Sequence, residues 1–322
     1  PSETGKTTVL KQLKLLYGRK GLDMERQTYR RVVHLNVMRA MQGLVEGMEQ
    51  ANIPLGNPEN AVHVETVRRL ETTLKRYSIT TVGVPNPAIP RKITDAKAET
   101  DMFADMVPAI KSLWVDPGIQ RTFDTCTQLS IQDSAKYFLD AVDRVADPEY
   151  IPTDDDILQA RVRTLAVSEH IFDIDGVAYR PYFDEVDAII FMSAISAYDQ
   201  GCEDNPNLNR LQDCLLLFNE ISNHKLFLNT SMIVFLNKID IFQRKLLSGS
   251  MVNRYFPDYN GPNDYFSTTV FFQYRFLEQC KDLQKQVYTH FTHATDTKQM
   301  KVIVVAVNVI IQRLNLRNSG LL

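Results

Sequence analysis

The residues best equipped for chemistry stand at the very start of the chain, where Thr4-Gly5-Lys6-Thr7-Thr8 runs into an apolar-periodic stretch from Val9 to Tyr17. A glycine, a lysine and a hydroxyl at the opening of a helix suit phosphate binding. Backbone N–H groups and the helix N-terminus face the phosphates, the lysine reaches the outer phosphates, and the next hydroxyl ligates Mg2+. Those roles fall to Lys6 and Thr7. The motif's first glycine would lie one residue before Pro1, and Ser2 fills the second position of the chain. Gly-Lys-Thr also arises by chance, so this fragment alone leaves an ordinary helix start open.

A second motif lies far downstream. Ser231 to Leu236 is a short apolar run of strand type, and it ends in Asn237-Lys238-Ile239-Asp240. This arrangement suits the reading of guanine. The Asp240 carboxylate would accept two N–H bonds from the base edge, and the Lys238 stem would pack along its face. Adenine offers no such donor pair and would leave a buried carboxylate unpaired. A polar strand end that caps the following helix is the competing account, and a phosphate loop upstream in the same chain favours base reading. The run His293-Ala294-Thr295-Asp296-Thr297 lies between two stretches read as helical, the first ending near His290 and the second following Thr297. A small residue there lets a backbone N–H approach the guanine carbonyl oxygen.

With these motifs in this order, the chain resembles the alpha subunits of heterotrimeric G proteins over nearly its whole length. The segment Asp156-Ile157-Leu158-Gln159-Ala160-Arg161-Val162-Arg163-Thr164 looks like the family's first switch, and Asn315 to Leu322 looks like its receptor-binding tail. The resemblance implies an α/β fold, a Ras-like P-loop GTPase domain with an inserted all-helical domain. The GTPase domain would comprise residues 1–20 and 158–322, and the insert residues 21–157. GTP or GDP and Mg2+ would be bound. Nucleotide contacts carry over to Glu3, Thr4, Gly5, Lys6, Thr7, Thr8, Asp133, Ser134, Leu158, Arg161, Asn237, Lys238, Asp240, Ala294 and Thr295. Arg161 becomes the arginine finger held in the same chain, and Thr7 and Thr164 become the Mg2+ hydroxyl ligands. Glu3 would pair with Arg161 when the γ-phosphate is absent, and Asp133 with Lys238; an ordinary surface charge accounts equally for each. Ser2 replaces a residue that is usually Gly in the family, from which slower hydrolysis than in a Ser2→Gly variant is expected.

Spacing and composition support that division. A minimal guanine-nucleotide domain places its guanine motif roughly 100 residues after the phosphate loop, and Lys6 and Asn237 lie more than twice as far apart. The excess is mostly helical in pattern, over Tyr29 to Met48, Ala61 to Tyr77, Ala104 to Trp114 and Asp133 to Val145. Breaks fall at Asn52 to Pro58, Pro85 to Pro90, Pro117-Gly118 and Pro148 to Pro152. A chain of 322 residues suggests two domains, and 44% hydrophobic content with a net charge of −3 argues against nucleic-acid or polybasic membrane binding. Cys126, Cys202, Cys214 and Cys280 show neither pairing nor metal spacing, which points to a reducing cytosolic setting. No apolar run reaches transmembrane length. Because the chain begins at Pro1 rather than Met, an upstream piece is expected.

One departure from the family pattern is large. The family's strand ending in Asp-x-Gly-Gly-Gln, which holds Mg2+ through water, senses the γ-phosphate and orients the attacking water, has no counterpart here. Ile171 to Tyr182 is followed at once by Phe183 to Phe191, a run like the family's strand beyond the second switch. Roughly fifteen residues are missing between them. The run Asp173-Ile174-Asp175-Gly176 imitates Asp-x-x-Gly but has the composition of a hairpin turn. Gln200 to Asn209 loosely resembles a third switch, with Glu203 and Asp204 as its acidic pair; a solvated loop explains it as well.

Two functions follow. The first is a signalling switch that binds and hydrolyses GTP and couples a G-protein-coupled receptor to effectors. The second is a hydrolysis-deficient pseudo-GTPase or truncated nucleotide-binding scaffold. A nucleotide kinase sharing only the phosphate loop would leave the two downstream motifs as coincidences. The resemblance implies a receptor partner at the C-terminal tail, together with effectors and GTPase-activating regulators and no nucleic acid. A beta-gamma dimer would grip the N-terminal helix and second switch, which this sequence does not contain. The expected location is the cytoplasmic face of the plasma membrane, or the cytosol if a lipidated N-terminus is absent.

Overall fold

The apolar-periodic run after the phosphate-loop motif forms helix α1 (Lys6–Tyr17), and Gly18, a poor helix former, separates it from α2 (Arg19–Gln50). The computed structural model describes residues 4–69, 94–125, 134–161, 172–174, 177–179, 188–202, 205, 207–228, 230–282 and 284–318. Two units divide the chain, Pro1–Tyr17 with Glu169–Leu322, and Gly18–Ser168. The second junction lies beyond the sequence boundary at residue 158, so Leu158 and Arg161 belong with the helical unit. Their segment is tied there by bonds from Asn36 and Arg144, contacts that no local pattern announces.

The described elements of Gly18–Ser168 are helical: α3 (Ala61–Arg68), α4 (Thr94–Trp114), α5 (Pro117–Thr125), α6 (Ala135–Asp140), α7 (Val142–Val145) and α8 (Asp154–Gln159) follow α2. Seven consecutive residues of α2, Val32 to Met38, are buried, so over about two turns this helix is covered on every side, and it forms the axis of the unit. The break expected at Pro117-Gly118 is instead the start of α5, since proline fits the first helical turn, where its missing N–H costs nothing. Asp116 ties this start to the Gly56–Asn60 loop: its carboxylate accepts N–H bonds from Gly56, Asn57 and Gly118 and from the Asn60 side chain.

His34 sits inside this core. Its ring stacks on Phe103 at 4.0 Å, and its Nε2 lies 3.1 Å from the Val145 carbonyl. Burial lowers its pKa from 6.5 to about 4, so the unfolded chain binds a proton there that the folded chain refuses. Stability from this residue is therefore complete above pH 6.5 and declines as pH falls toward 4, by up to about 3 kcal/mol. Urea unfolding at pH 7 and pH 4.5 should show that decline, and a His34→Gln variant should lose part of it. Equal pH dependence in the two proteins would contradict this role.

In the other unit, β1 (Phe172–Ile174) and β2 (Val177–Tyr179) pair antiparallel with Ile174 opposite Val177. Only two residues join them, which bears out the hairpin reading of Asp173 to Gly176; Asp175 and Gly176 lie outside the described residues. Strands β3 (Ala188–Ala194), β4 (Ser231–Asn237) and β5 (Val287–Thr292) form a parallel sheet in that order. All of β4 is buried, as a strand covered on both faces must be. Its alternate residues divide between two cores. Met232, Val234 and Leu236 join Phe218, Phe242 and Phe272, contributed by α9 (Arg210–Ser222), α10 (Ile239–Leu247) and α11 (Tyr265–Leu277). Ile233 and Phe235 join Val9 of α1 and Met300, Ile303 and Val307 of α12 (Thr297–Asn318).

The expectation of a helix ending near His290 is corrected here. Val287-Tyr-Thr-His-Phe-Thr is β-branched and aromatic throughout, and it pairs with β4 as a strand. Consequently His293 to Thr297 is a strand-to-helix loop at the C-terminal end of the sheet, where open parallel sheets bind ligands.

Candidate functional site

Asn237, the last residue of β4, organises this end of the sheet. Its side chain is buried, with Nδ2 donating to the Thr4 carbonyl at 2.9 Å. Its Oδ1 accepts from the Thr292 hydroxyl at 3.0 Å and the Ala294 N–H at 3.1 Å. One amide thus locks the Thr4 loop to the loop after β5, although 233 residues separate Thr4 from Asn237. Both of its polar atoms are engaged by protein, so Asn237 ties the two loops together at this end of the sheet.

Gly5 has φ +97°, the left-handed region, and a Cβ built on it would strike Asn237 Nδ2. Only glycine fits there. Gly5→Ala is therefore expected to weaken binding of a fluorescent GDP analogue at least about tenfold, roughly 1.4 kcal/mol, by displacing the Thr4 loop from Asn237. Unchanged affinity would show that the loop tolerates the shift. Lys6, Thr7 and Thr8 follow in the first turn of α1. The Lys6 side chain reaches solvent and donates to Thr4 Oγ1 at 3.3 Å; desolvation of its ammonium among the loop atoms lowers its pKa. A bound phosphate would supply the anion that such a lysine favours.

Lys238 has φ +63° and ψ +39°, a left-handed conformation that costs a non-glycine residue about 1 kcal/mol or more. Strain of this kind accumulates at functional sites. It turns the chain sharply from β4 into α10 and sets Asp240 in the first turn of that helix. The Asp240 carboxylate is partly exposed, 3.7 Å from Arg244 and 3.6 Å from His293 Nε2. The Thr295 hydroxyl lies 2.8 Å from the same His293 nitrogen.

Ala294 is buried, and its peptide is held from both sides: Asn237 takes the N–H, and Gln12 Nε2 donates to the carbonyl at 3.0 Å. Sequence reasoning overlooked Gln12, which lies fully buried on α1. A polar residue on the apolar face of an amphipathic helix was the available signal. Thus the structure brings together Thr4, Gly5, Lys6, Asn237, Lys238, Asp240, Ala294 and Thr295.

Ser134, Leu158 and Arg161 belong to the helical unit. Ser134 precedes α6 and is buried, Leu158 is buried in α8, and Arg161 follows α8 half-buried. Between α8 and Arg161 the chain becomes extended at Ala160, with φ −62° and ψ 126°. The expected sites Glu3, Asp133 and Thr164, together with Ser2 and the Glu203-Asp204 pair, lie outside the described residues.

A family model for the G-protein alpha subunit matches residues 1–311. Similar proteins include a guanine nucleotide-binding protein alpha-1 subunit of Mycosarcoma maydis, 37% identical over 99% of this chain and 88% of that protein. The G-protein complex alpha subunit gpaA of Aspergillus fumigatus and a guanine nucleotide-binding protein subunit alpha of Emericella nidulans are each 36% identical over the same shares. These alignments run to 335 positions against a chain of 322 residues, so within the matched span the relatives hold residues with no counterpart here. Matched almost end to end and carrying the Thr4 loop locked to the Asn237 and Ala294 motifs, the chain belongs to the G-protein alpha subunit family.

Proposed function

We propose that Pro1–Tyr17 with Glu169–Leu322 is a Ras-like GTPase domain and Gly18–Ser168 its inserted helical domain, with the nucleotide read by the residues gathered around Asn237. Family membership makes the chain a guanine-nucleotide-binding signalling switch and a GTPase, and it disfavours the pseudo-GTPase alternative. The observation that carries the site assignment is the Asn237 amide, which joins the phosphate-loop carbonyl at Thr4 to the Ala294 N–H.

In this reading Thr4 to Thr8 present N–H groups to the phosphates, and Lys6 holds the outer ones. Lys238 covers the face of guanine while Asp240 accepts from its edge. Because the Ala294 N–H is spent on Asn237, the next peptide, Thr295, is the donor assigned to the guanine carbonyl. Thr7 and Thr164 would supply hard oxygen ligands of the type Mg2+ prefers, and the ion held by them would offset charge on the phosphates. A water attacks the γ-phosphorus, its bond to the β–γ bridging oxygen breaks, and GDP and phosphate are released. Arg161 and Lys6 offset the charge that spreads over the γ-phosphate oxygens. The sequence between β2 and β3 offers no Gln to orient that water, and we place the segment missing relative to the family at this point.

Alpha subunits in general work with receptors, beta-gamma dimers and effectors. The receptor contact is assigned to α12 and the tail that continues it, the last four residues of which lie outside the described residues. Among the described residues no helix is long and apolar enough to cross a membrane, and peripheral attachment at the cytoplasmic face is the proposed location. Filter binding of radiolabelled GTP tests the reading: GDP should displace it at stoichiometric levels and ATP should not. Equal displacement by ATP would overturn the guanine assignment.

A further inference from the structure

We infer that Asn36, in the middle of α2, is the positioning residue of Arg161, an assignment that rests on the reading of Arg161 as catalytic. Asn36 is 2% exposed and lies within the seven-residue buried run of α2, among Val33, Leu35, Val37 and Met38. An amide in such surroundings is costly unless both of its polar ends are satisfied. Here both ends go to a single residue. Oδ1 accepts from the Arg161 N–H at 2.6 Å, and Nδ2 donates to the Arg161 carbonyl at 3.1 Å. The side chain thereby pairs with the Arg161 main chain as a neighbouring strand would, and it fixes the peptides on either side of the residue.

The location of this clamp is informative. The helical hydrogen bonds of α8 end at Ala160, whose N–H still reaches the Asp156 carbonyl, and the chain turns extended before Arg161. Without a partner at that point the Arg161 backbone would be the first freed by the helix end. A second anchor lies one turn earlier. The fully buried Asp156 carboxylate accepts two bonds from Arg144 and one from the Tyr137 hydroxyl, and Asp156 forms a capping box with Thr153. Those bonds fix α8, and Asn36 fixes what leaves it. A polar core residue serving stability alone can satisfy its two ends on any backbone groups. Spending both on the residue whose guanidinium must meet a developing charge defines where that side chain starts, and catalytic groups lose roughly 100-fold when misplaced by about 1 Å.

Single-turnover hydrolysis of radiolabelled GTP tests the assignment with six proteins: the unmodified chain, Asn36→Ala, Asn36→Asp, Arg161→Cys, the Asn36→Ala/Arg161→Cys double variant, and Asn60→Ala. Asn60→Ala removes another buried amide of the same unit, one bonded to Asp116. Asn36→Ala is expected to slow hydrolysis about 10- to 100-fold, with GTP affinity within about threefold, and to have no further effect in the Arg161→Cys background. Asn60→Ala is expected to lower the unfolding midpoint without slowing hydrolysis. Asn36→Asp keeps the acceptor for the Arg161 N–H, loses the donor, and should fall between. If Arg161→Cys hydrolyses GTP as fast as the unmodified chain, or that chain shows no turnover, the catalytic reading of Arg161 fails and this assignment fails with it. If Arg161→Cys is slow but Asn36→Ala is not, the positioning role alone is overturned. The same holds if Asn36→Ala slows the Arg161→Cys protein by the same factor again, or if Asn60→Ala slows hydrolysis as much.

Discussion

Replacing Arg161 by Cys is expected to slow single-turnover GTP hydrolysis by roughly 1,000-fold, with GTP affinity changed by no more than about threefold. The magnitude is the general one for arginine fingers in phosphoryl transfer, for which this family is itself a reference system. Its asymmetry follows from where charge develops. In the proposed site Lys6 would counter the γ-phosphate charge of bound GTP, whereas in the transition state that charge spreads over the equatorial oxygens, where the delocalised guanidinium would meet it. A group that acts chiefly in the transition state changes the rate and spares affinity. Arg161→Lys should recover little, because one ammonium cannot reproduce the planar fork. Equal losses in rate and affinity would mean that Arg161 serves ground-state binding, and an unchanged rate would remove it from the chemistry.

How much of this was legible in the sequence depended on whether the information was local. β4 announces itself as an apolar run closed by a polar tetrapeptide, and the stretch from Tyr29 to Met48 reads as helical. β5 was misread as the end of a helix, because Thr289, His290 and Thr292 interrupt its apolar content while its aromatic and β-branched character goes unweighted. Pro117 was read as a break and proved to be a first-turn proline. The least legible features are long-range hydrogen bonds. Asn237 to Thr4, Gln12 to Ala294 and Asn36 to Arg161 span 233, 282 and 125 residues. Each joins a polar residue in an apolar stretch to a backbone group in a distant loop. A lone buried amide in such a stretch says that a partner exists but not where.

Asp240→Asn is expected to weaken binding of both GTP and GDP by about 1,000-fold or more. In the proposed site the Asp240 carboxylate would offer two acceptors to the ring N–H and the exocyclic amine of guanine, and charge-assisted bonds of this type contribute about 1.5–3 kcal/mol each. The variant keeps one acceptor, turns the other into an NH2 facing the guanine amine, and loses the charge, a change on the order of 4 kcal/mol. The same geometry predicts which ligand is gained. Xanthine carries a carbonyl where guanine carries its amine, so the NH2 of the introduced amide would find an acceptor, and XTP should bind the variant far better than GTP does. Competition between XTP and GTP for the unmodified chain and the variant reads this reversal directly. The competing account, that Asp240 serves only its partly exposed pairs with Arg244 and His293, makes a different forecast. Exposed pairs contribute about 1 kcal/mol or less, so the variant would then bind GTP nearly as before and show no preference for XTP. A uniform loss of both nucleotides would point instead to a disturbed turn at Lys238, whose left-handed backbone leaves little slack between β4 and α10. Only exchange of one nucleotide for the other places the carboxylate against the base.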